Sequence, residues 1–276
     1  MTTAWTTDTV TPDPARAVGL TLLWGLDGVA LRTVGGGRVP NVTEAPLRRR
    51  LAEAELPVVA VDPGLFEGAA GSRAGWLNDL AALDETAAFC VRVGCGLVRV
   101  GALALGEANA SARLDAAGEA LRQAGDHAAG HGLRLAVRND AQTAVATGAA
   151  LAALLDAVDH PAVGADWRPA DAVLAGESPS DGLAALGRAP LCVGVRDGEP
   201  VRDRSAGPSA DGLDSGWARA VVGGGGLGWG EQLSALAALG FAGPLVIDEV
   251  PHPARSAGLA SATALIRAAR RAERGA

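Results

Sequence analysis

Five arginines carry the most distinctive chemistry in this sequence, because each lies at or near the end of a β-rich run. They are Arg32, Arg99, Arg138, Arg168 and Arg196. A planar guanidinium binds phosphate or carboxylate through two parallel hydrogen bonds, so arginines converging on one cavity predict a site for a small anionic metabolite. Like charges crowded together repel unless anions lie between them. A lattice in which aspartates neutralise the arginines is therefore the alternative prediction.

Two aspartates are predicted to lie among these arginines. Side chains alternate along a strand, so Asp166 shares a face with Arg168, and Asp248 points away from Glu249. A carboxylate beside a carbonyl compound can move a proton on and off the neighbouring carbon. Asp248 and Asp166 are therefore the predicted catalytic residues. Four further aspartates near strand ends could neutralise arginines, namely Asp62, Asp140, Asp171 and Asp197.

Two neighbours of these residues complete the predicted substrate-binding set. Asn139 follows Arg138, and Trp167 precedes Arg168. The indole of Trp167 could stack on a sugar or ring, and packing in the core is the alternative. His252 is the one histidine predicted near this face, either as a proton donor or as an ordinary loop residue.

Composition excludes several other classes of function. All 24 basic residues are arginine, since the 276-residue chain contains no lysine, and this removes lysine Schiff-base and pyridoxal phosphate chemistry. The formal net charge of −7 argues against a nucleic-acid partner. No apolar run could span a bilayer, the first residues do not form a signal peptide, and three scattered cysteines suggest a reduced state. We expect a cytoplasmic protein with no membrane partner, which could form a homo-oligomer.

The elements that position these residues alternate regularly. Eight β-rich runs are separated by helical segments: Ala4–Thr7, Gly28–Thr33, Pro57–Asp62, Gly96–Gly101, Leu133–Asn139, Val163–Arg168, Leu191–Asp197 and Leu245–Glu249. This alternation favours a parallel sheet, and eight units in this length predict a single (β/α)8 TIM barrel over residues 1–276. A doubly wound open sheet is the alternative, but it usually carries a GxGxxG turn after an early strand, and none is present there.

One connection is unusually long. Residues 198–228, after the seventh predicted strand, are polar and rich in glycine. Loops that follow the strands of such a barrel form its functional face. We expect this loop to act as a lid, and a solvated surface excursion is the alternative.

Several phrases resemble, in order, those of the sugar phosphate isomerase/epimerase family, the xylose isomerase-like TIM barrels. Gly25 to Arg32 resembles G-x-x-G-V-E-L-R, and the segment ending at Asp140 resembles G-V-x-L-x-L-E-N-H. Further phrases similar to H-P-x-V-G-x-x-x-D-P, V-H-V-K-D and G-x-G-x-x-D-W begin at His160, Val193 and Gly224. The resemblance runs from about Trp5 to the last helix and implies the barrel fold.

The resemblance also implies a divalent metal, held by residues from strands five to eight. The corresponding positions here are Arg138, Arg168, Gly194 and Asp248, and Ala30 replaces a glutamate of the family's second strand. Two arginines and a glycine offer no donor to a metal, so we expect no metal and no other cofactor. A shift of register that brings in Asp166 still leaves too few ligands.

The function implied is that of an isomerase or epimerase acting on a small anionic sugar or related metabolite. A carboxylate would transfer a proton next to the carbonyl, and the arginines would stabilise the enolate in place of a metal. A lyase or cyclase reaction would use the same groups. The alternative is a non-catalytic barrel that binds an anion or a partner, whereas an endonuclease of this superfamily needs more than the four histidines present.

Overall fold

The computed structural model of the protein describes residues 1–68, 73–103, 110–200 and 217–275. Parallel strands close into a barrel in chain order, with the first strand paired to the last. Their bounds are β1 Thr2–Thr6, β2 Gly28–Leu31, β3 Val58–Val61, β4 Leu97–Val100, β5 Arg134–Arg138, β6 Val163–Trp167, β7 Cys192–Val195 and β8 Pro244–Ile247. The predicted (β/α)8 TIM barrel is therefore confirmed.

Helices lie between consecutive strands and cover the barrel. They are α1 Pro14–Trp24, α2 Ala45–Glu53, α3 Arg73–Val93, α4 Ala110–Gly130, α5 Gly148–Val158, α6 Pro169–Leu174, α7 Pro179–Leu186, α8 Trp229–Ala238 and α9 Ala254–Gly275. The short helix α6 was not predicted, because six residues are too few to show a helical period. It begins at Pro169, whose fixed φ suits the first helical position. No described helix is both long and apolar enough to cross a membrane.

Local sequence signals set the ends of α1. The side chain of Asp13 accepts a hydrogen bond from the backbone N–H of Arg16 at 2.7 Å, and Pro14 occupies the first turn. The helix stops at Gly25, which has a left-handed φ of 70°. The chain then turns directly into β2.

The long connection after β7 begins and ends as an antiparallel hairpin. Asp197–Pro200 pairs with Trp217–Ala220, and residues 201–216 lie outside the described residues. Asp197 holds the base of this hairpin, because its carboxylate accepts backbone hydrogen bonds from Gly198 at 2.8 Å and Gly223 at 2.7 Å. The role of the loop as a lid stays a prediction.

The apolar core has two separate parts. A large layer of aliphatic and aromatic side chains fills the space between strands and helices, and Trp5 and Trp24 lie within it with ring centroids 4.8 Å apart. A smaller cluster lies inside the barrel and consists of Ala4, Ala30, Ala60, Leu97, Ala136, Cys192 and Val246. Most of these inward side chains are small. Polar side chains occupy the rest of the interior, towards the carboxyl ends of the strands.

Candidate functional site

A buried guanidinium occupies the interior of the barrel above the alanine layer. Arg99 on β4 donates to both carboxylate oxygens of Asp248 at 2.7 Å, and to Asp166 on β6 at 2.9 and 3.3 Å. Arg99 is 1% exposed and Asp166 0% exposed. We call Arg99, Asp166 and Asp248 the central cluster. The cluster joins strands on opposite sides of the barrel through charge-assisted hydrogen bonds.

Glycine at position 194 makes room for this cluster. A Cβ atom on Gly194 would lie 2.8 Å from Asp248 Oδ2, 3.0 Å from Arg168 Cγ and 3.2 Å from Arg99 Nη2. Real side chains do not approach so closely without displacing their neighbours. The glycine on β7 is therefore a condition for placing the arginines and Asp248 together.

The charges of the central cluster stabilise each other. Burial alone would raise the pKa of Asp248, but Arg99 and Arg168, with hydrogen bonds from Arg99 and Thr6, hold this pKa well below its usual range. Burial alone would lower the pKa of Arg99, but Asp166 and Asp248 raise it well above its usual value. Arg99 and Asp248 thus stay charged at neutral pH.

Arg168 differs from the other predicted arginines in its contacts. It follows β6, and its guanidinium lies 3.7 Å from Asp166 Oδ2 and 3.4 Å from Asp248 Oδ2. Within the described part of the chain, this guanidinium donates no hydrogen bond, and its Nε is buried without an acceptor. A guanidinium carries five N–H donors, so Arg168 has donors to offer to a ligand.

Two cavities open at the carboxyl ends of the strands, and Arg32 and Arg168 line both. The main cavity is about 470 Å³ and is lined by Asp8, Thr9, Arg32, Arg168, Asp171, Gly194, Arg196, Arg219, Asp248, Glu249, Val250, His252 and Ala254. The side cavity is about 240 Å³, and its wall includes Asp62, Glu67, Arg138, Asp140 and Thr143. Arg168 therefore lies where an anion in either cavity could reach it.

The remaining predicted arginines have carboxylate partners. Arg32 donates to Asp8 at 3.0 and 3.1 Å, and Arg138 donates to Asp62 at 3.0 Å and also to Glu67. Arg196 lies 3.0 Å from Asp171 and 3.6 Å from Glu249. The alternative prediction of paired arginines and acids thus describes much of this face.

The structure places Asn139 and Trp167 away from both cavities. Asn139 is fully buried and bonds to backbone groups, donating to the carbonyls of Ala146 and Arg168 and accepting from the N–H of Arg168. Trp167 is fully buried in the layer under the helices, and a Cβ on Gly182 would lie 2.6 Å from its ring. Neither side chain can touch a ligand there, because alternation along the strand turns both away from the barrel axis.

Sequence reasoning missed several members of this site. Asp8 lies in the short 3-10 turn Thr7–Thr9 that follows β1, where strand alternation no longer applies, so the strand period gives no signal for its place in the main cavity. Arg38 reaches Asp62 at 2.8 Å only because a hairpin turns the chain back after β2, and the sequence carries no signal for this contact. The prediction that Glu249 points away from Asp248 is wrong, since both line the main cavity. The regular strand ends at Ile247, so alternation no longer applies.

The donor set does not fit the divalent metal implied by the family resemblance. Arg138, Arg168 and Gly194 present no metal donor, and both oxygens of Asp248 already accept hydrogen bonds from Arg99. Across residues 1–68, 73–103, 110–200 and 217–275, no group of three or more His, Cys, Asp or Glu side chains is arranged to hold a metal ion. We therefore derive no chemistry through a metal.

Solved structures of related architecture include sugar epimerases and a dehydratase. L-ribulose 3-epimerase aligns with a TM-score of 0.76 at 14% identity, over 98% of this chain and 93% of the epimerase. D-allulose 3-epimerase from Methylomonas sp., solved with D-allulose, gives 0.73 at 14% identity over 97% and 96% of the two chains. The probable 3-DHS dehydratase AsbF from Bacillus anthracis gives 0.77 at 15% identity over 96% and 99%. At these identities the similarity shows the fold alone.

Sequence comparison extends this result to the family. No curated relative matches the chain. The family model described as xylose isomerase-like TIM barrel matches residues 20–271, which is most of the chain and agrees with the phrases quoted from its sequence. The protein belongs to the xylose isomerase-like TIM barrel family.

Proposed function

We propose that this barrel is a metal-independent, isomerase- or epimerase-like enzyme that acts on a small anionic sugar or related metabolite. The single observation that carries the proposal is that Arg168 lines both cavities with hydrogen-bond donors that are not used within the described residues. A partly buried cation with unused donors is a favourable site for a phosphate or carboxylate, or for the oxygen of an enolate.

The central cluster supports a reaction that uses guanidinium groups in place of a metal. Arg99 donates hydrogen bonds to the carboxylates of both Asp166 and Asp248. This leaves Arg168 as a second fixed positive charge at the cavity wall. Negative charge that develops on a substrate carbonyl during proton removal would be stabilised by such a preorganised cation. Arg32 and Arg196 flank the same cavity and would orient the anionic end of the substrate.

The proton-transfer roles predicted for Asp248 and Asp166 remain predictions, and the geometry weighs against both. Asp248 is bound through both oxygens by Arg99, and its lowered pKa makes it a weak base. Asp166 is completely buried and lies in contact with Arg99. We propose that these two carboxylates hold the arginines in place.

The family supports the reaction class. The epimerases among its structural neighbours act on sugars, and one was solved with D-allulose. Epimerisation at the carbon beside a carbonyl, and isomerisation through an enediolate, both require a proton to leave that carbon, which matches a cavity lined by cations and carboxylates. The dehydratase neighbour keeps a lyase reaction as a variant of the same proposal.

Deuterium exchange tests the proposal, because it detects proton removal whichever product is formed. The protein would be incubated in D2O with D-ribulose 5-phosphate, D-fructose 6-phosphate or uncharged D-allulose, and NMR would follow loss of the C–H signal beside the carbonyl. We expect faster exchange with a phosphorylated probe, and a loss of about 100-fold or more in Arg168→Met. Arg134→Met is the matched control, because Arg134 lies exposed at the opposite end of β5. Equal exchange rates in wild type and Arg168→Met would overturn the proposal.

A non-catalytic anion-binding barrel is the second candidate. It is favoured by the ion pairs of Arg32, Arg138 and Arg196, which neutralise much of this face without a ligand. Calorimetric binding of a phosphorylated probe that depends on Arg168, with no deuterium exchange in any probe, would establish this candidate instead.

A further inference from the structure

Asp171 is a buried carboxylate in the main cavity with an unused oxygen. It lies in the first turn of α6, three residues after Arg168, and is 6% exposed. Its Oδ1 accepts a hydrogen bond from the backbone N–H of Ala141 at 3.1 Å and lies 3.0 Å from Arg196 Nη2. Its Oδ2 is buried and has no hydrogen-bond partner among the described residues. Leaving such an oxygen without a donor is unfavourable unless a proton or a ligand completes it.

We propose that Asp171 is the catalytic residue that takes the proton from the carbon beside the substrate carbonyl and returns it. This inference rests on the proposed function and assigns its proton-transfer group. Asp171 lines the same cavity as Arg168. Oδ2 is covered in this structure, so the Asp171 carboxylate must rotate to face the carbon next to a carbonyl whose oxygen is bound by Arg168.

The other carboxylates of the main cavity contact arginines through both of their oxygens, unlike Asp171. Asp248 accepts from Arg99 through both oxygens, and Asp8 accepts from Arg32 through both oxygens. Glu249 contacts Arg219 with one oxygen and lies 3.6 Å from Arg196 with the other. His252 is exposed at the cavity wall. Asp171 combines burial with a carboxylate oxygen to which no described group donates a hydrogen bond.

The electrostatic surroundings of Asp171 suit a proton carrier. Burial raises its pKa above the ordinary value for aspartate, although Arg196, Arg168 and the N–H of Ala141 act in the opposite direction. A general base works best when its pKa approaches the pH at which the enzyme operates. The pKa of Asp248 is lowered instead, so Asp248 is the weaker base of the two.

The step conserves atoms and electrons without a further reactant. The C–H bond beside the carbonyl breaks, the proton moves to Asp171 Oδ2, and the electron pair passes to the carbonyl oxygen as an enolate facing Arg168. Return of the proton to the same carbon regenerates the substrate. Its return to the former carbonyl carbon, while the neighbouring hydroxyl proton passes to the other oxygen, gives the isomeric carbonyl compound, and either route restores the carboxylate. In D2O the carboxyl proton exchanges with solvent, so carbon acquires deuterium.

The test compares Asp171→Asn and Asp171→Glu with wild type in the deuterium-exchange assay with D-ribulose 5-phosphate and D-fructose 6-phosphate. Asp156→Asn is the matched control, because Asp156 is exposed on α5 and pairs with Arg188 outside the barrel. We expect Asp171→Asn to lower the exchange rate by about 100-fold or more, the usual contribution of a general base. Asp171→Glu keeps a carboxylate and should retain measurably more exchange than Asp171→Asn.

Three results would overturn the assignment. Exchange by Asp171→Asn at the wild-type rate shows that another group carries the proton. Equal loss of exchange in the Asn and Glu variants shows that the position matters for shape and not for its carboxylate. Absence of exchange by the wild type with all probes defeats the proposed function itself, and the assignment of Asp171 with it, so the two failures are distinguishable.

Discussion

The side-chain amide of Asn139 binds both backbone polar groups of Arg168. Its Oδ1 accepts from the Arg168 N–H at 2.8 Å, and its Nδ2 donates to the Arg168 carbonyl at 2.9 Å. Nδ2 also donates to the carbonyl of Ala146 at 3.0 Å. Asn139 thus fixes the backbone from which the Arg168 side chain enters the barrel, and it is a positioning residue.

Replacing Asn139 by Ala should destabilise the protein by about 2–4 kcal/mol, because three buried hydrogen bonds are lost and backbone groups stay unsatisfied. Urea unfolding measures this loss. Asn78→Ala, at an exposed position of α3, is the control and should change stability by less than about 0.5 kcal/mol. A similar small change in Asn139→Ala would contradict the positioning role.

Gly194→Ala should disturb the central cluster. The added methyl group meets Asp248, Arg168 and Arg99 at 3.2 Å or less, so we expect a loss of about 1–3 kcal/mol in unfolding free energy. Gly19→Ala on α1 is a control of the same chemistry, because nothing lies within 4 Å of its added Cβ. That substitution should stabilise the helix by about 0.5–1 kcal/mol. Thermal denaturation of both variants tests the contrast, and a stabilised Gly194→Ala would refute it.

Arg99→Met should destabilise the protein by about 3–5 kcal/mol, since it leaves the buried Asp166 and the partly buried Asp248 without their principal counter-charge. The triple variant with Asp166→Asn and Asp248→Asn removes those charges and should recover part of the lost stability. Chemical denaturation provides the measurement. If the triple variant is less stable than Arg99→Met, uncompensated charge is not the cause.

Acid should destabilise the protein through Asp248 and Asp62. The arginines hold the pKa of both carboxyls below the usual range although burial opposes this. The unfolded chain then binds these protons first, so stability present above about pH 4 is lost as the pH falls towards the folded-state pKa values. Unfolding free energies between about pH 6 and 3 should fall less steeply for Asp248→Asn than for wild type. Parallel curves would disprove the linkage.

The ionisation of Asp171 should affect stability in the opposite direction to that of Asp248, so that its contribution is lost as the pH rises. Burial raises its pKa, so its ionisation disfavours the folded state once the pH rises above the unfolded value of about 4. The stability of Asp171→Asn relative to wild type should therefore increase from about pH 4 to pH 7. Urea denaturation at several pH values measures the difference, and a difference that is constant with pH would contradict the raised pKa.

The inward arginines show how well the alternation of side chains along a strand predicts which residues face the barrel interior. It correctly placed Arg99, Arg138, Arg168, Asp166 and Asp248 at the inside of the barrel or at its cavities, because direction alternates within a regular strand. It also turns Asn139 and Trp167 away from the axis, yet their chemistry suggested contact with substrate. For Asn139 and Trp167, strand alternation therefore predicted the direction of the side chain better than its chemical type did.

The sequence by itself determined the barrel, since eight alternating units leave few other ways to bury so many aliphatic residues. It also determined which residue types face inward. Only the tertiary structure decided which acid meets which arginine. Arg99 on β4 meets Asp248 on β8 because closure of the sheet brings opposite strands within side-chain reach. These pairings left Arg168 with donors to spare and Asp171 with an unbound oxygen, because each depends on distances across the closed barrel that no local period encodes.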